Sequence, residues 1–143
     1  MRMKRNLFLF PMMVTLFACN QSQRSGQAGG KLVEKVFVVN ITGGDKPLQE
    51  YLHYHEQVWP EVEAGFKKAG YKKIALYHYD HLLVMIVTVP ENADLDAMGK
   101  IAGSYSPRCA EWNELMNRYQ KGVPGTGPGQ TWAEAKQFYR FSN

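Results

Sequence analysis

Tyr51, His55 and Trp59 stand at intervals of four, the last followed by Pro60 and Glu61. On a helix such residues project from one face, so a phenol, an imidazole and an indole would sit in line. An imidazole ordinarily titrates at about pH 6.5, so His55 can both take and give a proton near neutrality. The stripe around it, Leu48, Leu52, Val58, Val62 and Phe66, is apolar and must turn inward, which puts the imidazole in or beside a cleft. Aromatic rings among a few polar atoms suit a sugar, whose C–H faces stack on rings while its hydroxyls seek hydrogen bonds. Plainer readings fit the same spacing: His55 as a hydrogen-bonded core residue, Tyr51 as packing. Trp112, next to Asn113, is either core or another wall of the cleft, and Tyr77 and Tyr79 share a strand face that could line it. His53, His78 and His81 form no His-x-x-x-His or carboxylate-bearing pattern, so no metal site is expected.

The elements that must hold these residues read as β-α-β-β-α-β. Val36–Ile41 is β-branched and apolar on both faces, and Gly43-Gly44-Asp45 ends it as a strand. Pro47–Gly70 has helical periodicity, with a break or a fresh first turn predicted at Pro60 and a stop at Gly70. Lys73–Tyr79 and Leu82–Val89 form two strands joined tightly through Asp80-His81. A second helical region covers Leu95–Gln120, broken near Ser106-Pro107. Gly122–Gln130, with four glycines and two prolines, must be loop or extended arm, and Phe138–Phe141 reads as a last short strand. Leu82–Val87 has no polar face, so both its faces should be covered. Helices cover one face of such a sheet. Either a second copy of the chain covers the other, giving an isologous homodimer, or the 122–137 arm folds over it.

The N-terminus is set apart from this domain. Met1–Arg5 carries three basic residues, Leu7–Phe17 is almost wholly apolar, and Leu16-Phe17-Ala18-Cys19 closes the run. That is the layout of a signal peptide over residues 1–18, too short in its apolar part for the roughly 20 residues of a transmembrane helix. Leu-Phe-Ala-Cys is similar to the lipobox of bacterial lipoproteins, which predicts lipidation of Cys19; an ordinary secretory signal with a chance cysteine is the alternative. Gln21–Lys31, rich in Gln, Ser and Gly, reads as a tether, so residues 19–32 link the lipid to a domain over 33–143. Removing Arg2, Lys4 and Arg5 with the leader leaves 14 basic residues against 13 acidic, and the net charge falls from +4 to +1. The electrostatic footprint of a nucleic-acid binder is therefore missing. With Cys19 lipidated, Cys109 stands alone and can form neither an internal disulfide nor a cysteine metal site.

Tyr51, His55 and Trp59-Pro60-Glu61, followed by Gly70 and an Ala-Leu-Tyr strand, resemble the opening of the L-rhamnose mutarotases. Cys109–Met116, with Trp112 and Met116, and the Phe138-Tyr139-Arg140-Phe141 ending match further parts of the same family, so the resemblance spans about Val36–Phe141. It implies a ferredoxin-like α+β sandwich of the dimeric α/β-barrel type that interconverts sugar anomers without a cofactor. It implies His55 as proton donor and sugar contacts from Tyr51 and Trp112. Trp59 and Tyr77 join Tyr51, Trp112 and Asn113 as candidate substrate-binding residues. Asn113 stands where the family has a second tryptophan, and Ile74 where it has another sugar-contacting tyrosine. The expected partners are a small-molecule sugar and a second copy of the chain, with membrane contact only through the lipid on Cys19. The expected location is the cell envelope, periplasmic or associated with the outer membrane. A non-catalytic sugar-binding module and an αβ-barrel monooxygenase-like enzyme are the competing readings of this fold.

Overall fold

Leu32–Ile41, β-branched and apolar apart from Glu34, Lys35 and Asn40, forms the first strand, β1, four residues longer at its start than the sequence pattern predicts. The structure, a computed structural model, describes residues 30–143. The leader, Cys19 and most of the tether lie outside the described residues. Lys73–Tyr79 (β2) and Leu82–Pro90 (β3) form the predicted hairpin, with Tyr79 opposite Leu82. Asp80 takes the left-handed conformation, φ 51°, that a two-residue turn demands and that aspartate tolerates better than most side chains.

Helical periodicity becomes four short helices. Asp45–Glu56 (α1) and Pro60–Ala69 (α2) replace the single interrupted helix; Pro60 is the first helical residue of α2, where its missing N–H costs nothing. Gly70 closes α2 at φ 98°, and its N–H bonds back to Phe66 and Lys67. Leu95–Ser104 (α3) begins with the Asp94 carboxylate accepting from the Ala97 N–H at 3.0 Å, and Pro107–Asn117 (α4) again starts on a proline. Helices α2, α3 and α4 pack on one another over one face of the sheet.

The sheet order is β2-β3-β1, all antiparallel, and β1's free edge is taken by two short strands: Gln120–Lys121 (β4) and Ala133–Ala135 (β5). This is the ferredoxin-like arrangement expected, with one correction. Phe138–Phe141 is not a strand; it lies beyond β5, with Phe138 99 % exposed. β4 and β5 already occupy the β1 edge, where a last strand would pair. The 122–137 arm does not fold over the bare face either. It runs to the β1 edge, and Trp132 packs against the core on the helix side.

Alternation sorts the strands into two faces. Val39, Ile41, Leu83, Val87 and Val89 are buried beneath the helices with Leu48, Tyr51, Val62, Trp112 and Met116. Val36, Val38, Val84 and Ile86, together with Tyr77 and Tyr79, point the other way, where no element of the described residues covers them.

Candidate active site

The inward stripe of α1 ends in a stacked pair. The rings of Tyr51 and His55 lie 4.4 Å apart and 28° from parallel, one turn of helix separating their origins. Trp112 of α4 closes on the imidazole edge-on at 5.3 Å. The His55 Nδ1 lies 2.9 Å from the Tyr51 carbonyl oxygen. A carbonyl only accepts, so Nδ1 carries the hydrogen of the neutral ring and the lone pair sits on Nε2. Burial holds the His55 imidazole below its ordinary value of 6.5, with the Tyr51 hydrogen bond pulling weakly the other way. At pH 7 the ring is therefore neutral, with a basic nitrogen that no side chain of the described residues engages.

Tyr51 is positioned from the opposite side by residues that sequence reasoning missed. Trp132 Nε1 donates to Gln120 Oε1 at 3.2 Å, and Gln120 Nε2 donates to the Tyr51 hydroxyl oxygen at 3.2 Å. With its oxygen accepting from Gln120, the phenol keeps its own hydrogen to offer elsewhere. Burial also pushes the Tyr51 pKa upward, against a smaller lowering from Gln120, so the phenol remains a donor across the neutral range. Gln120 begins the two-residue β4 and Trp132 precedes the three-residue β5, so neither stands in a periodic pattern that marks an inward face.

Tyr51, His55, Trp112, Asn113, Gln120 and Trp132 line one cleft of about 790 Å³ between the helices and the sheet. Its floor is apolar, from Ile74, Leu76, Met85 and Val87. Asn113 and Ile74, the two departures from the family pattern, both border it. Two candidates from the sequence are placed elsewhere. Tyr77 pairs with Val84 on the bare face, 56 % exposed, so the sheet itself separates it from the cleft. Trp59 falls in the break between α1 and α2, where it turns out of the stripe; it packs edge-on against Trp112 at 5.2 Å, under the Arg108 guanidinium at 3.6 Å. From there it buttresses a wall of the cleft. The arrangement can hold a small polyhydroxylated ring between aromatic walls, with a neutral imidazole and a fixed phenol at one end.

Comparison with known proteins agrees with that chemistry. The family model for L-rhamnose mutarotase matches residues 34–141. An L-fucose mutarotase of Xanthomonas campestris pv. campestris is 34 % identical over 109 residues, 74 % of this chain and 86 % of that one. An L-rhamnose mutarotase of Klebsiella pneumoniae is 26 % identical over 99 residues, 68 % of this chain and 88 % of its own. In fold, the crystal structure of an L-rhamnose mutarotase from Formosa agariphila superposes with a TM-score of 0.54 at 16 % identity, covering 77 % of this chain and 99 % of the other. With the family pattern running through nearly all the described residues, and with the stacked Tyr51–His55 pair inside it, the chain belongs to the L-rhamnose mutarotase family and is a sugar mutarotase, an isomerase acting on carbohydrates.

Proposed function

We propose that this mutarotase interconverts the α and β anomers of a 6-deoxyhexose, L-rhamnose or L-fucose, with His55 as the proton-transfer group and Tyr51 as a fixed hydrogen-bond donor. Mutarotation opens a hemiacetal. The anomeric hydroxyl loses its hydrogen to Nε2 of His55 as the bond from C1 to the ring oxygen breaks, and a carbonyl forms at C1. The imidazolium then returns the proton to the ring oxygen. Both oxygens start on one carbon, so a single nitrogen needs only a short displacement to serve both. The Tyr51 O–H stabilises the oxygen that carries charge between the two transfers. After rotation about C1–C2 the aldehyde presents its other face, and the same groups run the sequence in reverse.

The observation that carries this reading is the hydrogen bond from Nδ1 to the Tyr51 carbonyl, because it directs the basic nitrogen away from the helix. A positioned acid-base group typically contributes about 10² to 10⁴-fold. That suffices for a reaction already facile in water. Saturation-transfer NMR between the anomers of L-rhamnose, L-fucose and D-mannose tests it: one 6-deoxy sugar should relax faster with enzyme, and His55→Ala should abolish the acceleration while the protein stays folded. A folded His55→Ala that accelerates as well as wild type removes the assigned role.

Two further readings concern how the enzyme is held. The bare sheet face fits a second copy of the chain, since an isologous contact would cover Val36, Val38, Val84 and Ile86 of each protomer with the same residues of the other. Sedimentation at micromolar concentration should give a homodimer. The Leu16-Phe17-Ala18-Cys19 pattern supports a lipid on Cys19 and a place in the cell envelope, periplasmic or outer-membrane associated. Fatty-acid labelling in cells should be lost in Cys19→Ser, and retained label would refute the anchor.

A further inference from the structure

The cleft is longer than a monosaccharide. Gln120 lies opposite Ile41 on β1, whereas Ile74 lies opposite Val87, which in turn lies opposite Lys35. Six residues of strand separate those two levels, roughly 20 Å at about 3.3 Å per residue. At 790 Å³ the space falls toward the upper end of the roughly 300 to 1,000 Å³ that serves drug-sized ligands. A single 6-deoxyhexose held by Tyr51 and His55 leaves the far half unfilled.

That half has its own chemistry. Phe66 and Tyr71 form an edge-to-face pair there, with ring centres 5.8 Å apart. Lys67, Lys72 and Lys73 line the same end against one carboxylate, Glu63. Lys73 heads β2 from the opposite face of the sheet, so Lys67 and Lys72 carry the argument. Neither makes an ion pair among the described residues. Gly99, inside α3, also lines the cleft, and a Cβ built there meets nothing within 4 Å. Packing does not require a glycine at that position, and mid-helix it costs about 0.5 to 1 kcal/mol relative to alanine. Its effect is to leave the cleft open.

We propose that the far half of the cleft is a subsite for a negatively charged uronosyl unit linked to the reducing 6-deoxy sugar. The aromatic pair would face the ring of the uronosyl unit, and Lys67 and Lys72 would meet its carboxylate. The enzyme would then act on reducing ends released from an acidic polysaccharide as well as on the free sugar. This rests on the mutarotase reading, and the test separates the two.

Anomer exchange is followed by saturation-transfer NMR for three substrates: the free 6-deoxy sugar, its glucuronosyl disaccharide, and the matching neutral glucosyl disaccharide. The acidic disaccharide should show a KM about two- to thirtyfold below that of its neutral counterpart, the range expected for two exposed ion pairs of about 0.2 to 1 kcal/mol each. In Lys67→Ser/Lys72→Ser that preference should vanish with kcat unchanged, and free-sugar turnover should hold. Gly99→Leu should raise KM for both disaccharides and leave the free sugar unaffected. Equal KM for the charged and neutral disaccharides, an unchanged preference in the double variant, or failure of the acidic disaccharide while the free sugar is turned over would overturn the subsite. Failure of the free sugar as well would overturn the mutarotase reading with it.

Discussion

The two faces of one sheet have been put to different uses. Strand β3 is apolar on both, so its residues alone do not distinguish them. On the helix side, Leu83, Val87 and Val89 are sealed beneath α1 to α4, and the space left over is a cleft with the Trp132–Gln120–Tyr51 chain at one end. On the other side, Val84 and Ile86 are covered by no element of the described residues. The difference shows where specificity comes from in a small α+β domain. Polar groups gain fixed geometry only where a second layer excludes water and supplies partners, whereas an uncovered apolar face gains its definition from another molecule.

The contrast predicts effects of decreasing size. The greatest belongs to the covered side: His55→Ala should cost about 10² to 10⁴-fold in anomer exchange, with thermal unfolding little changed. Next comes the bare side. Ile86→Asp places two carboxylates in an isologous contact and removes two apolar side chains worth about 1.5 to 3 kcal/mol each. The dimer should dissociate by at least a hundredfold in Kd by sedimentation, and an unaltered dimer would mean that this face is not the interface. Gln120→Leu frees the Tyr51 hydroxyl, and losing one hydrogen bond of about 0.5 to 1.5 kcal/mol should lower kcat about two- to twelvefold. Tyr77→Phe should change turnover of any sugar by less than twofold; a larger loss would bring that hydroxyl back to the substrate.

The pH dependence sharpens the covered side further. Because burial lowers the His55 pKa, the base form dominates at pH 7, and kcat/KM should fall only as the pH drops through a value below 6.5. Stability follows the same sign. The unfolded imidazole takes up a proton from pH 6.5 downward while the folded one resists, so its contribution is complete above 6.5 and is lost below it. His55→Ala should remove both the acid limb and that share of the acid sensitivity, as read by denaturant titration across pH 5 to 7.

The helices and the hairpin were legible from sequence because local signals agreed. Pro60 and Pro107 each open a helix, Gly70 closes one, and Asp80-His81 turns between two apolar runs. What eluded the sequence was long-range. Gln-Lys and Ala-Glu-Ala contain nothing that favours a strand; β1 recruits them by offering a free edge. Gln120 and Trp132 sit twelve residues apart on either side of a glycine-rich loop, and only the fold makes them consecutive members of a hydrogen-bonded chain. Period-two alternation places Tyr77 and Tyr79 on a common face but cannot say which; α2 and α3, by covering Ile74, decide it. The stripe reading failed at Trp59 because three residues of non-helical backbone, Gln57–Trp59, rotate it out of line.

Gln120 and Trp132 come later in the chain than α1, so they leave the ribosome after it. A nascent chain can stack its imidazole on its phenol as soon as α1 packs, yet the hydroxyl stays unclamped until synthesis passes residue 132. Full competence is thus withheld until residue 132 has emerged, and a single proteolytic nick in the glycine-rich loop would untie the clamp without disturbing the helices.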